Sequence, residues 1–113
     1  MSFTTKVIVQ QGYVDSSLTL KYTSPSTGKG TWIDKATFTN VSGATANFTL
    51  NIVPSGGSSG ADNKVISAYS LASGATASLS DLSGRYMAPG DSIYWSASAA
   101  TSINGAISGR EQT

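Results

Sequence analysis

Apolar and polar residues alternate along most of this chain with a period of two. The clearest stretch is Ala46-Asn-Phe48-Thr-Leu50-Asn-Ile52, where polar residues separate the apolar positions. Successive side chains of a strand point to opposite faces, so this pattern predicts a strand with one buried side. Trp32 to Val41 reads the same way, with Ala36 and Phe38 on one side and Lys35, Thr37 and Thr39 on the other. The short link Asn40-Val-Ser-Gly-Ala-Thr45 contains Gly43, which predicts a hairpin joining these two strands.

Further strands are predicted at Lys6 to Gln10, Ser17 to Tyr22, Lys64 to Leu71, Thr76 to Leu79, Ser92 to Ala99 and Ile103 to Ser108. The turn Pro89-Gly-Asp91 introduces the strand from Ser92. No window carries a 3.6-residue repeat, although Ser80 to Met87 has room for one helical turn. About eight short antiparallel strands with frequent turns indicate an all-β domain, a β-sandwich of jelly-roll-like kind. Residues 31–113 form its expected core. Residues 1–30 are less cleanly patterned and end in Ser24-Pro-Ser-Thr-Gly-Lys-Gly30. They read either as first strands of the same single domain or as an arm that adds a strand to a neighbour. Pro54 to Asp62 reads as a flexible connector whose tip can order against another subunit.

Composition removes most chemistry. The 113 residues contain no Cys and no His, so disulfides, thiolate nucleophiles, the commonest general base and most transition-metal sites are excluded. Charged residues are 12% of the chain and the formal net charge is +1, which gives no basic surface for nucleic acid and no pull toward an anionic membrane. Thr27-Gly-Lys-Gly-Thr31 has the look of a phosphate loop. The full pattern, however, needs Gly where Thr23 stands and a helix where a strand is predicted. Asp62, Asp81 and Asp91 each fit a turn, and a calcium site needs several oxygen ligands brought together. Nothing in the spacing does so, nor does it pair two carboxylates for glycoside hydrolysis. No catalytic residue, cofactor or metal is therefore expected. The start lacks the pattern of an export signal, so synthesis in a cytoplasm is expected, and Asn40-Val-Ser42 and Asn47-Phe-Thr49 read as chance glycosylation sequons.

What remains is a surface of hydroxyls. Ser and Thr together number 33. Few charges and a balance near zero suit a chain that is held in an assembly better than one that stays dispersed. Few residues that guard strand edges are visible beyond Lys35 and Lys64. Phe38, Phe48 and Trp95 are in phase with apolar neighbours and belong to the core, whereas Tyr94 is out of phase with Trp95 and faces away. Tyr94, with Tyr69 or Trp32, is a candidate platform for a subunit contact or for stacking a sugar. The full set of candidate contacts is Tyr13, Tyr22, Trp32, Tyr69, Tyr94 and the loop residues Pro54, Ser55, Gly56 and Gly57.

Four short segments carry a resemblance. Ile33-Asp-Lys-Ala-Thr-Phe-Thr-Asn40, Asn51-Ile-Val-Pro-Ser-Gly-Gly57, Pro89-Gly-Asp-Ser-Ile93 and Ile107-Ser-Gly-Arg-Glu111 resemble motifs of small virion structural proteins of tailed bacteriophages and prophages. The resemblance spans residues 31 to 111 and omits the front of the chain. It implies a β-sandwich present in many copies on a phage particle, made in the host cytoplasm. The most concrete implied role is a capsid decoration or cement protein. Its partners would be copies of itself, as a dimer or trimer, and the major capsid protein or other virion proteins. A tail, neck or fibre-attachment component is the alternative, and a carbohydrate-binding module is a further one.

Overall fold

The computed structural model describes residues 2–113. Among these the chain forms β1 (Phe3–Tyr13), β2 (Thr19–Thr23), β3 (Gly30–Asn40), β4 (Ala46–Val53), β5 (Lys64–Leu71), β6 (Thr76–Ser78), β7 (Arg85–Met87), β8 (Ser92–Ala97) and β9 (Ile103–Gln112). All pairings are antiparallel. One sheet has the order β1-β9-β3-β6, with β7 also on β3, and the other has the order β2-β8-β4-β5. With β6 and β7 counted as one interrupted strand, this is the eight-strand order of a jelly roll. The all-β sandwich expected from the alternation is the fold observed.

The expected hairpin between the third and fourth strands does not form. β3 belongs to the first sheet and β4 to the second, and they meet across the core instead of edge to edge. The physical reason is that both strands carry bulky apolar residues on the inward face. Phe38 and Phe48 gain more by stacking between sheets than in-sheet neighbours would, with ring centroids 4.1 Å apart. Asn40 makes the crossing possible. Its amide nitrogen donates to the carbonyls of Ala44 and Leu71, while its oxygen accepts from the amide and hydroxyl of Ser42. A fully buried side chain thereby satisfies the backbone of a corner.

Two further expectations change. Ser80 to Met87 holds consecutive turns followed by β7, not a helical turn. The only helical turn among the described residues is a 3-10 turn at Ala61–Asn63, at the end of the Pro54 loop. Residues 3–13 and 19–23 pair with β9 and β8 of their own chain.

The core is one cluster running the length of the sandwich, built from Ile33, Phe38, Phe48, Leu50, Leu82, Met87, Ile93, Trp95, Ile103 and Ile107 among others. Trp95 meets Phe38 edge-on at 5.9 Å. Gly105 lies beneath both rings: a Cβ there would sit 2.7 Å from Phe38 and 2.9 Å from Trp95.

The sheet edges decide where contacts can form. β1 has two shifts of register against β9, β2 has one against β8, and β5 has two against β4. The remaining edge is broken into β6 and β7, three residues each. Interrupted and short edges are poor templates for a further strand. Of the two lysines expected to guard edges, Lys64 stands on edge strand β5, whereas Lys35 stands on β3, which is paired on both sides; backbone geometry protects the other edges. The broad outer faces are left as the surfaces suited to large contacts.

Candidate interaction surfaces

On the outer face of the β1 sheet, alternation turns Trp32 outward between the buried Thr31 and Ile33. Register places Arg110 on one side of it and Tyr86 on the other. Phe3, from the far edge strand, reaches Trp32 with ring centroids 5.4 Å apart, and Tyr86 lies 4.8 Å away on the opposite side. The Arg110 guanidinium stands 5.3 Å from the Phe3 ring centroid. Arg110 also grips Asp34: Nε donates to both carboxylate oxygens at 3.1 Å and Nη2 approaches Oδ1 at 3.1 Å. Phe3 and Tyr86 are half exposed, at 49% and 48%. Tyr86 is held flat because Gly30 (φ +127°) offers no side chain beneath it; a Cβ there would lie 2.3 Å from the ring. Its hydroxyl donates to the Lys29 carbonyl at 2.9 Å.

The second sheet presents a different surface. Tyr94 is half-buried on its outer face, opposite Leu20 on β2 and Asn51 on β4. Nearby, a shallow cavity of about 390 Å³ is lined by Leu18, Thr49, Asn51, Lys64 and Ser96, among others. Tyr69 is on edge strand β5, its ring 5.6 Å from Phe48. Tyr13 ends β1 and is exposed. The platform expected of Tyr94 with Tyr69 or Trp32 is therefore not assembled: Trp32 and Tyr94 lie on outer faces of different sheets, and Tyr69 lies on an edge strand. The partners Trp32 does have, Phe3 and Tyr86, carried no local signal, because strand phase gives a residue's face but not its cross-strand neighbour.

Tyr22 is engaged internally. Its hydroxyl donates to Glu111 Oε2 and meets Thr31 Oγ1 at 2.9 Å, while Thr31 Oγ1 also meets Ser24 Oγ at 2.7 Å. Lys6 completes the group, 3.2 Å from Glu111 Oε2. Burial, with the bond to Glu111 adding to it, pushes the Tyr22 hydroxyl up to about 12. Asp15 moves the other way: accepting from Trp95 Nε1 at 3.1 Å holds it below the usual carboxylate range, with Lys21 assisting.

The Pro54–Asp62 loop, expected as a flexible connector, is tied down by two amide side chains. Asn51 Nδ2 donates to the Gly60 carbonyl at 3.1 Å and to Asn63 Oδ1 at 2.8 Å. Asn63 Oδ1 also accepts from Gly60 N, and Asn63 Nδ2 donates to the Ser58 carbonyl. At the other end, Ser55 N donates to Asp91 Oδ1 at 3.1 Å. Pro54, Ser55, Gly56 and Gly57 remain exposed at the tip.

No family model, characterised protein or solved structure matches this chain. Among the described residues, no group of three or more His, Cys, Asp or Glu is placed to hold a metal ion. Among the described residues no helix is long and apolar enough to cross a membrane.

Proposed function

We propose that this chain is a structural component of a tailed-bacteriophage virion, acting by protein contact as a capsid decoration or cement protein. The observation that carries the reading is how the four segments of the resemblance meet in space. Ile33–Asn40 and Ile107–Glu111 are neighbouring stretches of β3 and β9, with Ile33 opposite Gly109 and Ala36 opposite Ile107. The Pro54–Gly57 loop and the Pro89–Asp91 turn are joined through Ser55 and Asp91. Every segment thus has a scaffolding task, as expected where the common property is a shape and not a reaction. Jelly rolls recur in viral capsid domains, which agrees with this assignment. The hydroxyl-rich, weakly charged exterior suits a protein buried in an ordered array.

In this role many copies, associated as dimers or trimers, sit over junctions of the major capsid protein. They resist internal pressure by adding buried area across those junctions. The partners are protein, not nucleic acid or membrane, and no catalysis is assigned. The test is to add the purified chain to capsid shells lacking it, measure the bound ratio by sedimentation and image the decorated particle. A fixed ratio, density at capsid junctions and heads that withstand higher temperature are expected. Density confined to tail or neck would overturn the decoration role, and absence from purified particles would overturn the virion assignment.

A further inference from the structure

The outer face of the β1 sheet carries an arrangement that capsid decoration does not require. Phe3, Trp32 and Tyr86 form a continuous row, drawn from β1, β3 and β7. The rings are inclined to one another, by 67° between Phe3 and Trp32 and by 52° between Trp32 and Tyr86. Tyr86 is fixed before any ligand arrives, by its seat on Gly30 and its bond to Lys29. Asp34 and Arg110 lie beside the row, held together by three contacts of 3.1 Å. Asp34 also borders a hollow of about 300 Å³ at the break between β6 and β7, with Lys35, Ser78, Ser80 and Ser83. That volume is at the lower end of small-molecule sites, about 300 Å³.

We propose that this row and hollow bind a neutral oligosaccharide built of hexopyranose units. A pyranose has an apolar C–H face and a rim of hydroxyls. Exposed aromatic faces match the first, and a carboxylate–guanidinium pair matches adjacent hydroxyls, one group accepting and the other donating. Beside the row Asp34 and Arg110 neutralise each other, so an ionic ligand gains nothing from that pair, and the one further charge of the hollow, Lys35, can donate to hydroxyls. Serine hydroxyls and the Lys35 ammonium in the hollow supply further hydrogen bonds for the next unit. Trp, Tyr and Arg also mark protein hot spots, but the hollow, joined to the row at Asp34, sets three serines beside the apolar Ala36 and Leu79, a mixed lining that matches a pyranose.

The experiment titrates the full chain with cellotriose, maltotriose and β-1,4-galactotriose, and with sulfated and sialylated trisaccharides. Tryptophan emission and calorimetry follow binding. Trp95 is buried among Phe38 and its neighbours, so an emission change reports Trp32. At least one neutral trisaccharide should saturate the protein at about 10 mM, as a Kd of about 1 mM or tighter requires. Trp32→Ala and Tyr86→Ala should each weaken it by about tenfold, the scale of losing one stacking ring. Asp34→Asn and Phe3→Ala, which leave Trp32 in place, give the same comparison should the larger truncations fail to fold. Binding of acidic sugars alone, no binding of any sugar, or full affinity in the folded variants overturns the proposal. So does loss of self-association in Trp32→Ala without sugar binding, which would make the row an interface between copies. Because the titration uses free protein, its failure is separate from failure to bind capsids.

Discussion

Phe38 on β3 and Phe48 on β4 stack with centroids 4.1 Å apart and ring planes 19° from parallel, although their strands belong to opposite sheets. This contact joins the two layers at the centre of the sandwich. Trp95 closes against Phe38 from β8, and Gly105 on β9 leaves the space that the rings occupy.

Truncation at that point should be among the most damaging in the chain. Phe48→Ala is expected to lower unfolding free energy by about 3–5 kcal/mol through lost transfer energy and a cavity that rigid neighbours cannot fill. Gly105→Ala should lose about 1–3 kcal/mol for the opposite reason, an added methyl with no room beside two buried rings. Urea unfolding measures both. A Gly105→Ala protein as stable as the parent would show that the rings can yield.

The group around Tyr22 predicts a dependence of stability on alkaline pH. Its folded value of about 12 lies above the unfolded value of 10.0, so the folded state holds the proton more tightly. The stabilising contribution is complete below pH 10 and disappears as pH rises toward 12, where the unfolded chain gains by ionising. Tyr22→Phe should therefore be less stable than the parent at pH 8, by about 0.5–1.5 kcal/mol for the lost hydrogen bond. The gap should narrow between pH 10 and 12, as read from urea midpoints of both proteins across that range. A gap that stays constant would count against the internal bond to Glu111.

Asn51 is 1% exposed and commits both amide hydrogens to the loop that follows its strand. Removing it takes away one of two donors at the Gly60 carbonyl, which Asn63 N also bonds, and one of two at Asn63 Oδ1, which Gly60 N also bonds. Asn51→Ala should cost about 1–3 kcal/mol and raise hydrogen exchange at residues 58–63. Proteolysis should then begin within Pro54–Asp62. Unchanged exchange in the variant would mean that Ser55–Asp91 and the backbone hold the loop alone.

Several features of the fold were legible because they are local. The burial of Phe48, Leu50 and Trp95 and the outward side of Tyr94 follow from strand phase, and the span of β5 from its run of Val65, Ile66, Ala68, Tyr69 and Leu71. The turn at Pro89-Gly-Asp91 is visible in residue type, since its backbone preferences are set within a few residues. The loop at Pro54 was harder. Its Gly and Ser content suggests freedom, while the two asparagines that hold it stand at positions 51 and 63, at the loop's margins, where they read as ordinary strand and turn residues.

The sequence by itself determined that the chain is built of strands, which side of each is apolar and how little acid–base chemistry it can supply, because alternation and composition need no partner. Only the tertiary structure decided that β3 crosses the sandwich instead of turning back, and that Phe3, Trp32, Tyr86 and Arg110 share one face. A buried face can be satisfied equally by a strand beside it or a sheet opposite it. Local pattern does not distinguish the two, and the choice falls to the packing of rings that lie far apart in sequence.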